Sequence, residues 1–202
     1  MQVHAKKVAH AISILAVGAG LAGCAFTPHE LELKPSANVV ASTVGQNTRL
    51  YYRFSDERDD ATIGHRGAGA WMGAKITAQD LPTLVDQQIR DGLKAKGYQL
   101  VDNEAAADAK VTFRLRAFKF DIETGFFTGG QNTSAVLASD AWRGGKTYTN
   151  VYRYNSEERI IVVPGGSAID SQMDQALNQI LSKAFADTAL DAALTGKAAG
   201  GT

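Results

Sequence analysis

The chain has 202 residues, 45% hydrophobic and 21% charged, with 21 basic and 21 acidic side chains and so no net charge. This balance excludes the basic footprint of a nucleic-acid binder and the acidic bias of a disordered tail. A single cysteine, Cys24, excludes an intramolecular disulfide and any multi-cysteine zinc site.

The N-terminus reads as an address. Lys6 and Lys7 precede an almost wholly apolar stretch from Val8 to Gly20, followed by Leu21-Ala22-Gly23-Cys24. The stretch is shorter than the roughly 20 residues of a spanning helix and has the layout of a secretory signal. The last four residues match a bacterial lipobox. That resemblance implies cleavage between Gly23 and Cys24, a diacylglycerol on the Cys24 thiol, and an N-acyl chain of the palmitate kind. Ala25 and Phe26 follow, with no aspartate after the cysteine. By analogy with enterobacterial sorting, this implies the periplasmic face of the outer membrane. Loss of residues 1–23 removes Lys6 and Lys7 and leaves a slightly negative mature chain. Gly18-Ala19-Gly20-Leu21-Ala22-Gly23 also spells a G-x-G-x-x-G dinucleotide turn. Its context fails, because Pro28 interrupts the helix that should follow and no βαβ unit comes after it.

Residues 24–46 carry Pro28, Pro35, Ser36, Asn38 and Gly45 and read as a lipidated tether. Leu31 with Leu33, or Val39-Val40, is a candidate edge strand within it. A single domain is expected over 47–194, and a small, Gly-rich tail over 195–202 should fray. Arg49 to Phe54 reads as a strand. Asp80 to Lys96 reads as a helix, with Leu81, Val85, Ile89 and Leu93 recurring every fourth residue and Gly97 as its terminator. Strands follow at Tyr98–Val101 and Lys110–Ile122. In the second, Val111, Phe113, Leu115 and Ala117 share one parity and Phe118, Phe120 and Ile122 the other, which predicts a bulge or a strand running past the sheet edge.

Gly144-Gly145, between Ser134–Trp142 and Thr147–Tyr154, predicts a tight hairpin. Its register sets Ala141 against Tyr148, Leu137 against Tyr152 and Ala135 against Tyr154. The tyrosine face is assigned to the core, and the mixed face with Trp142, Asp140 and Arg153 to solvent. A short strand is expected at Arg159–Val163, then a helix capped by Ser167 with Asp170 and running to about Ala193. Two amphipathic helices need one apolar surface. The expected fold is therefore α+β, a two-layer sandwich of a mostly antiparallel sheet with both helices on one face.

These residues resemble the YajG family of small lipoproteins. The resemblance rests on the lipobox, Asp56-Glu57-Arg58, Ile63-Gly64, Lys96-Gly97-Tyr98, the hairpin with its Tyr-rich strand, and Asp174, Leu177, Asn178, Leu181 and Asp187 in the final helix. It implies an outer-membrane lipoprotein of Gram-negative bacteria and carries no biochemical activity with it. The Gly67-Ala68-Gly69-Ala70 segment and the Arg143–Lys146 turn are particular to this chain.

Catalytic chemistry finds no foothold, so no catalytic residue, metal or cofactor is assigned beyond the lipid on Cys24. Only His29 and His65 remain after the signal. Gly165-Gly166-Ser167 lacks the second glycine of a nucleophile elbow, since Ile169 stands at that position. Asp56 to Asp60 lacks the spacing of a calcium loop and reads as a solvated turn with Arg58 offsetting its acidic neighbours. Gly64 to Gly73 reads as an irregular loop in which Arg66 and Trp71 are candidate partner contacts. The expected role is therefore non-enzymatic. The partners expected are the membrane through the lipid and another envelope protein or a cell-wall glycan, with no nucleic acid. A small-ligand or glycan binder is the alternative.

Overall fold

A computed structural model describes residues 27–66, 73–124, 129–161 and 163–197. The proposed signal, Gly23, Cys24 and Trp71 lie outside the described residues. Eight strands form one open sheet: β1 (His29–Glu30), β2 (Arg49–Asp56), β3 (Thr62–Arg66), β4 (Ala74–Thr77), β5 (Gln99–Val101), β6 (Ala109–Thr124), β7 (Gly129–Arg143) and β8 (Lys146–Ile160). Three helices accompany them among the described residues: α1 (Leu81–Ala95), α2 (Gly166–Phe185) and α3 (Thr188–Thr195).

The long strand β6 organises the sheet. One of its edges pairs antiparallel with β7, and β7 with β8. The other edge is shared. β2 runs parallel to its first half and β3 to its second, with β5 outside β2, and β4 then β1 outside β3. The sheet is thus mixed: long antiparallel ladders on one side of β6 and short, mostly parallel ones on the other. The expectation of a mostly antiparallel sheet describes only the first side.

The parity switch in β6 has one of the two expected causes, but it comes earlier than expected, so Ala117 lies beyond it and off the Val111 face. Leu115 faces Leu137 and Ala117 faces Val136, so Arg116 is the extra residue of a bulge. Val111, Phe113 and Leu115 before it, and Phe118, Phe120 and Ile122 after it, therefore enter the same core. The β7–β8 register is the one read from the sequence, and Gly144 and Gly145 adopt the positive φ angles (55° and 77°) that a two-residue turn demands. Both strands are longer than expected. Of the separate strand expected at Arg159–Val163, Arg159 and Ile160 are the end of β8.

The tyrosine face packs inward. Tyr152 is buried, and Tyr148 and Tyr154 lie partly buried against the core cluster that α1, α2 and α3 share with the sheet. Met173, Leu177, Ile180, Leu181 and Ala184 form the buried stripe of α2, and Leu81, Val85, Ile89 and Leu93 that of α1. Two helix boundaries differ from expectation. Gly165, not Ser167, is the N-cap of α2, and Asp170 bonds to His29 and the Glu32 amide. The single terminal helix is two, divided at Asp187.

Residues 31–39, expected as part of a tether, lie extended along α2. Leu31 is buried, and Leu33, Ala37 and Val39 pack on the core. The alternate residues turn their backbone amides to α2, which receives them on side chains four residues apart. Glu32 N donates to Asp170 Oδ1 (3.3 Å), Lys34 N to Asp174 Oδ1 (2.8 Å), Ser36 N to Asn178 Oδ1 (2.7 Å) and Asn38 N to Ser182 Oγ (3.0 Å). The match is geometric. Two extended residues advance about 6.6 Å, and four helical residues about 6 Å. Pro35, which has no amide hydrogen, falls on the parity that α2 does not read. Beyond this strap, Ser42 N and Gly45 N donate to the Ala95 and Lys96 carbonyls, closing the C-terminus of α1.

Candidate functional site

The most heavily bonded polar side chains among the described residues are used as joints. Asp187 is the most heavily engaged. Its Oδ2 accepts from the Tyr148 hydroxyl (2.9 Å), Asn150 Nδ2 (2.8 Å) and the Tyr152 hydroxyl (2.7 Å), and its Oδ1 from the Ala189 and Leu190 amides (3.0 Å each). Burial pushes this carboxyl up, but the bonds from Asn150, Tyr152, the Leu190 amide and Tyr148 outweigh it and hold it below the ordinary carboxylate range. The residue therefore caps α3 and pins it to β8.

A second joint closes the same end of the molecule. Buried Lys96 pairs with Asp191 Oδ2 at 2.6 Å and donates to the Phe185 carbonyl at the end of α2. Tyr98 donates to Asp191 Oδ1 at 3.0 Å, and burial followed by the Asp191 charge raises its phenol far above the ordinary value. Sequence reasoning placed Lys96, Tyr98 and Asp187 in the resemblance but gave them no role. Their joint roles are non-local, and no spacing rule reveals them.

The acidic segment after β2 behaves as a turn. Arg58 makes a bidentate pair with Asp56, and Asp60 accepts from the Thr62 amide. Glu57 instead reaches across the sheet to Arg114 and Arg116 (3.6 and 3.4 Å). Arg114 also pairs with Asp140, whose other oxygen takes the Thr149 hydroxyl. This row crosses β6, β7 and β8 on the face opposite the tyrosines, where Trp142 is 39% exposed.

Arg66 is not a surface contact. It ends β3, faces Ala74 of β4, and is 92% buried, so Gly64 to Arg66, expected as the start of a loop, are strand. Trp71 lies outside the described residues.

At the β7–β8 turn, a cavity of about 510 Å³ opens between the hairpin and the end of α3. Arg143, Lys146 and Lys197 line it together with Tyr148, and among the described residues no carboxylate does. Arg143 also donates to the Leu194 carbonyl at the end of α3 (2.7 Å). An anion suits this cavity better than a cation.

The family model for an uncharacterized lipoprotein matches residues 35–195. The chain belongs to this lipoprotein family. No curated protein matches it significantly. Among solved structures, protein XCC0632 from Xanthomonas campestris aligns over 84% of this chain and 96% of its own, at 14% identity and a TM-score of 0.53, which is a likeness of fold. Lipoprotein GNA1162 from Neisseria meningitidis aligns over 66% of this chain and 97% of its own, at 10% identity and a TM-score of 0.33. No helix among the described residues is long and apolar enough to cross a membrane.

Proposed function

We propose that the protein is a non-enzymatic lipoprotein of the bacterial envelope, held by acyl chains on Cys24 after cleavage behind Gly23, and that it serves another envelope component as an accessory binding subunit. The lipobox and the family support the anchor. The absence of an aspartate after Cys24 supports the periplasmic face of the outer membrane. In this reading the helices form one layer over the tyrosine face, and the opposite face, with its Glu57–Arg114–Asp140–Thr149 row and Trp142, is the surface left for a protein partner.

The observation that carries the reading is the use of its polar side chains. Asp170, Asp174, Asp187, Asp191 and Lys96 are each spent on holding one element against another. Such a body is built to present a surface rather than to turn over a substrate. The test is crosslinking in intact cells expressing the tagged lipoprotein, followed by purification from the outer membrane. One dominant protein at near-equal amount is expected. Turnover of a defined substrate, abolished by changing one polar residue, defeats the reading.

The cavity lined by Arg143, Lys146 and Lys197 favours a second reading, a binder of an anionic cell-wall glycan or lipopolysaccharide fragment. It predicts thermal stabilisation of the protein by such fragments, diminished in Arg143→Ala. No shift at saturating fragment counts against it.

A further inference from the structure

Strand directions sort the molecule into two poles. β3, β6 and β8 end at one pole; β1, β4 and β7 begin there. α2 also begins there, because His29 of β1 sits against its first turn. The His29 ring lies where a Cβ on Gly166 would stand, 2.7 Å from Cε1, and His29 Nε2 contacts Asp170 Oδ1 at 2.7 Å. The Arg143–Lys146 turn marks the far pole. A strand as long as β7 separates the two by roughly 45 Å.

The chain enters at the first pole with almost no slack. Thr27 is the first described residue and His29 is already docked. Three residues from Cys24 to Thr27 span about 10 Å at most, and the five to His29 about 17 Å. A lipid on Cys24 therefore keeps His29, and with it the first turn of α2, within about 17 Å of the bilayer surface.

Among the described residues the large apolar side chains most exposed are Ile161 (90%), Val40 (77%) and Trp142 (39%). Single exposed apolar residues are ordinary on a protein surface. Their positions differ here, however. Ile161 directly follows β8 at the anchored pole, five residues before Gly166. Val40 follows the last rung of the strap, Asn38 on Ser182, and Asp170 to Ser182 spans about 18 Å of helix. Trp142 adjoins the far turn. Around Ile161 the charges are mixed, with Glu157, Glu158 and Arg159 all exposed. Attraction to an anionic surface is therefore not the driving term.

From this placement we infer that the pole bearing Ile161 is a membrane-contacting surface, in which Ile161 enters the interfacial region of the bilayer that holds the Cys24 lipid. The contact fixes the orientation of the body, with the Arg143–Lys146 turn pointing away from the membrane. The inference rests on the lipid anchor proposed above. Transfer of an apolar side chain out of water favours the contact, and the anchor supplies the proximity.

The test uses the full acylated lipoprotein in phosphatidylethanolamine–phosphatidylglycerol vesicles. With Cys24 occupied by lipid, Ile161→Cys and Val40→Cys each offer one free thiol for an environment-sensitive fluorophore. Neither position has packing to lose. The label at 161 is expected to emit to the blue, to be at least threefold less quenched by aqueous iodide than the label at 40, and to be quenched by nitroxide-bearing lipids. The contrast should survive high salt. Equal iodide quenching at the two positions in protein whose Cys24 is acylated by mass overturns this inference alone. Protein recovered from membranes with no lipid on Cys24 overturns both the anchor and this inference.

Discussion

The Tyr152 hydroxyl donates to the Asp187 carboxylate at 2.7 Å, and Ser139 Oγ lies 3.2 Å from the same hydroxyl. The bond joins the middle of β8 to the first turn of α3. It explains why the terminal apolar stripe breaks into two helices at residue 187. An aspartate there caps a new helix and collects three donors from the sheet.

Removing this carboxylate therefore costs both a cap and a charge-assisted network. Asp187→Ala is expected to lower stability by about 2–3 kcal/mol in denaturant unfolding, and Tyr152→Phe by about 1 kcal/mol. Asp187→Asn keeps the cap and falls between them. A value for Asp187→Ala no larger than that for an exposed aspartate would deny the network its role.

The two acidic joints should respond to pH with opposite slopes. Asp187 is held below the ordinary carboxylate value, so its contribution is fully present above that value and is lost as pH falls towards the folded one. Asp174 is shifted the other way, by burial first and by neighbouring Asp170, against the Lys34 amide and charge. The folded protein then holds the Asp174 proton more tightly than the unfolded chain. Its effect on stability declines as pH rises through the window above the ordinary value. Asp174→Asn keeps an acceptor for Lys34 N and removes the buried charge. At neutral pH it should match or exceed the parent in stability, whereas Asp174→Ala should be less stable. Unfolding curves at several pH values separate the two residues.

How far the sequence led depends on the range of the interaction. The β6 bulge was legible because two apolar triplets of opposite parity must share one core. The β7–β8 register was legible because Gly144-Gly145 leaves one tight turn, and everything after it is fixed by counting. The helical stripes were legible for the same local reason. The strap was not. Leu31, Leu33, Ala37 and Val39 do alternate, but Pro28, Pro35 and Gly45 outweighed them, and the acceptors lie about 140 residues away. Arg66 was misplaced because its glycine-rich neighbours hid a five-residue strand. The resemblance contained more than its motifs declared: Asp174 and Asn178 are rungs under the strap, and Asp187, Lys96 and Tyr98 are joints.

Buried Lys96 gives a sharper test of the second joint. It is 6% exposed and holds Asp191 and the Phe185 carbonyl together. Lys96→Met strands the Asp191 carboxylate and is expected to cost about 3–4 kcal/mol. The double change Lys96→Met with Asp191→Leu removes both charges and should recover at least half of that loss. A double variant as unstable as the sum of the singles would mean that the pair is not coupled.

The strap makes the last prediction, and it bears on how the body is carried. Each rung is an amide bonded to one half-buried side chain at the surface, so single losses should cost under about 1 kcal/mol, because water can replace the acceptor. Collectively the rungs fix the segment. In hydrogen exchange the amides of Lys34, Ser36 and Asn38 should be protected, although no strand partner exists for them in the sheet. In Asp174→Ala/Asn178→Ala/Ser182→Ala these amides should exchange at least tenfold faster, while amides in the middle of β6 and β7 keep their protection. Uniform fast exchange over 32–38 in the parent would return this segment to a tether. The short distance between Cys24 and the folded body would go only if His29 to Leu31 exchanged as fast, because β1 docks ahead of the strap.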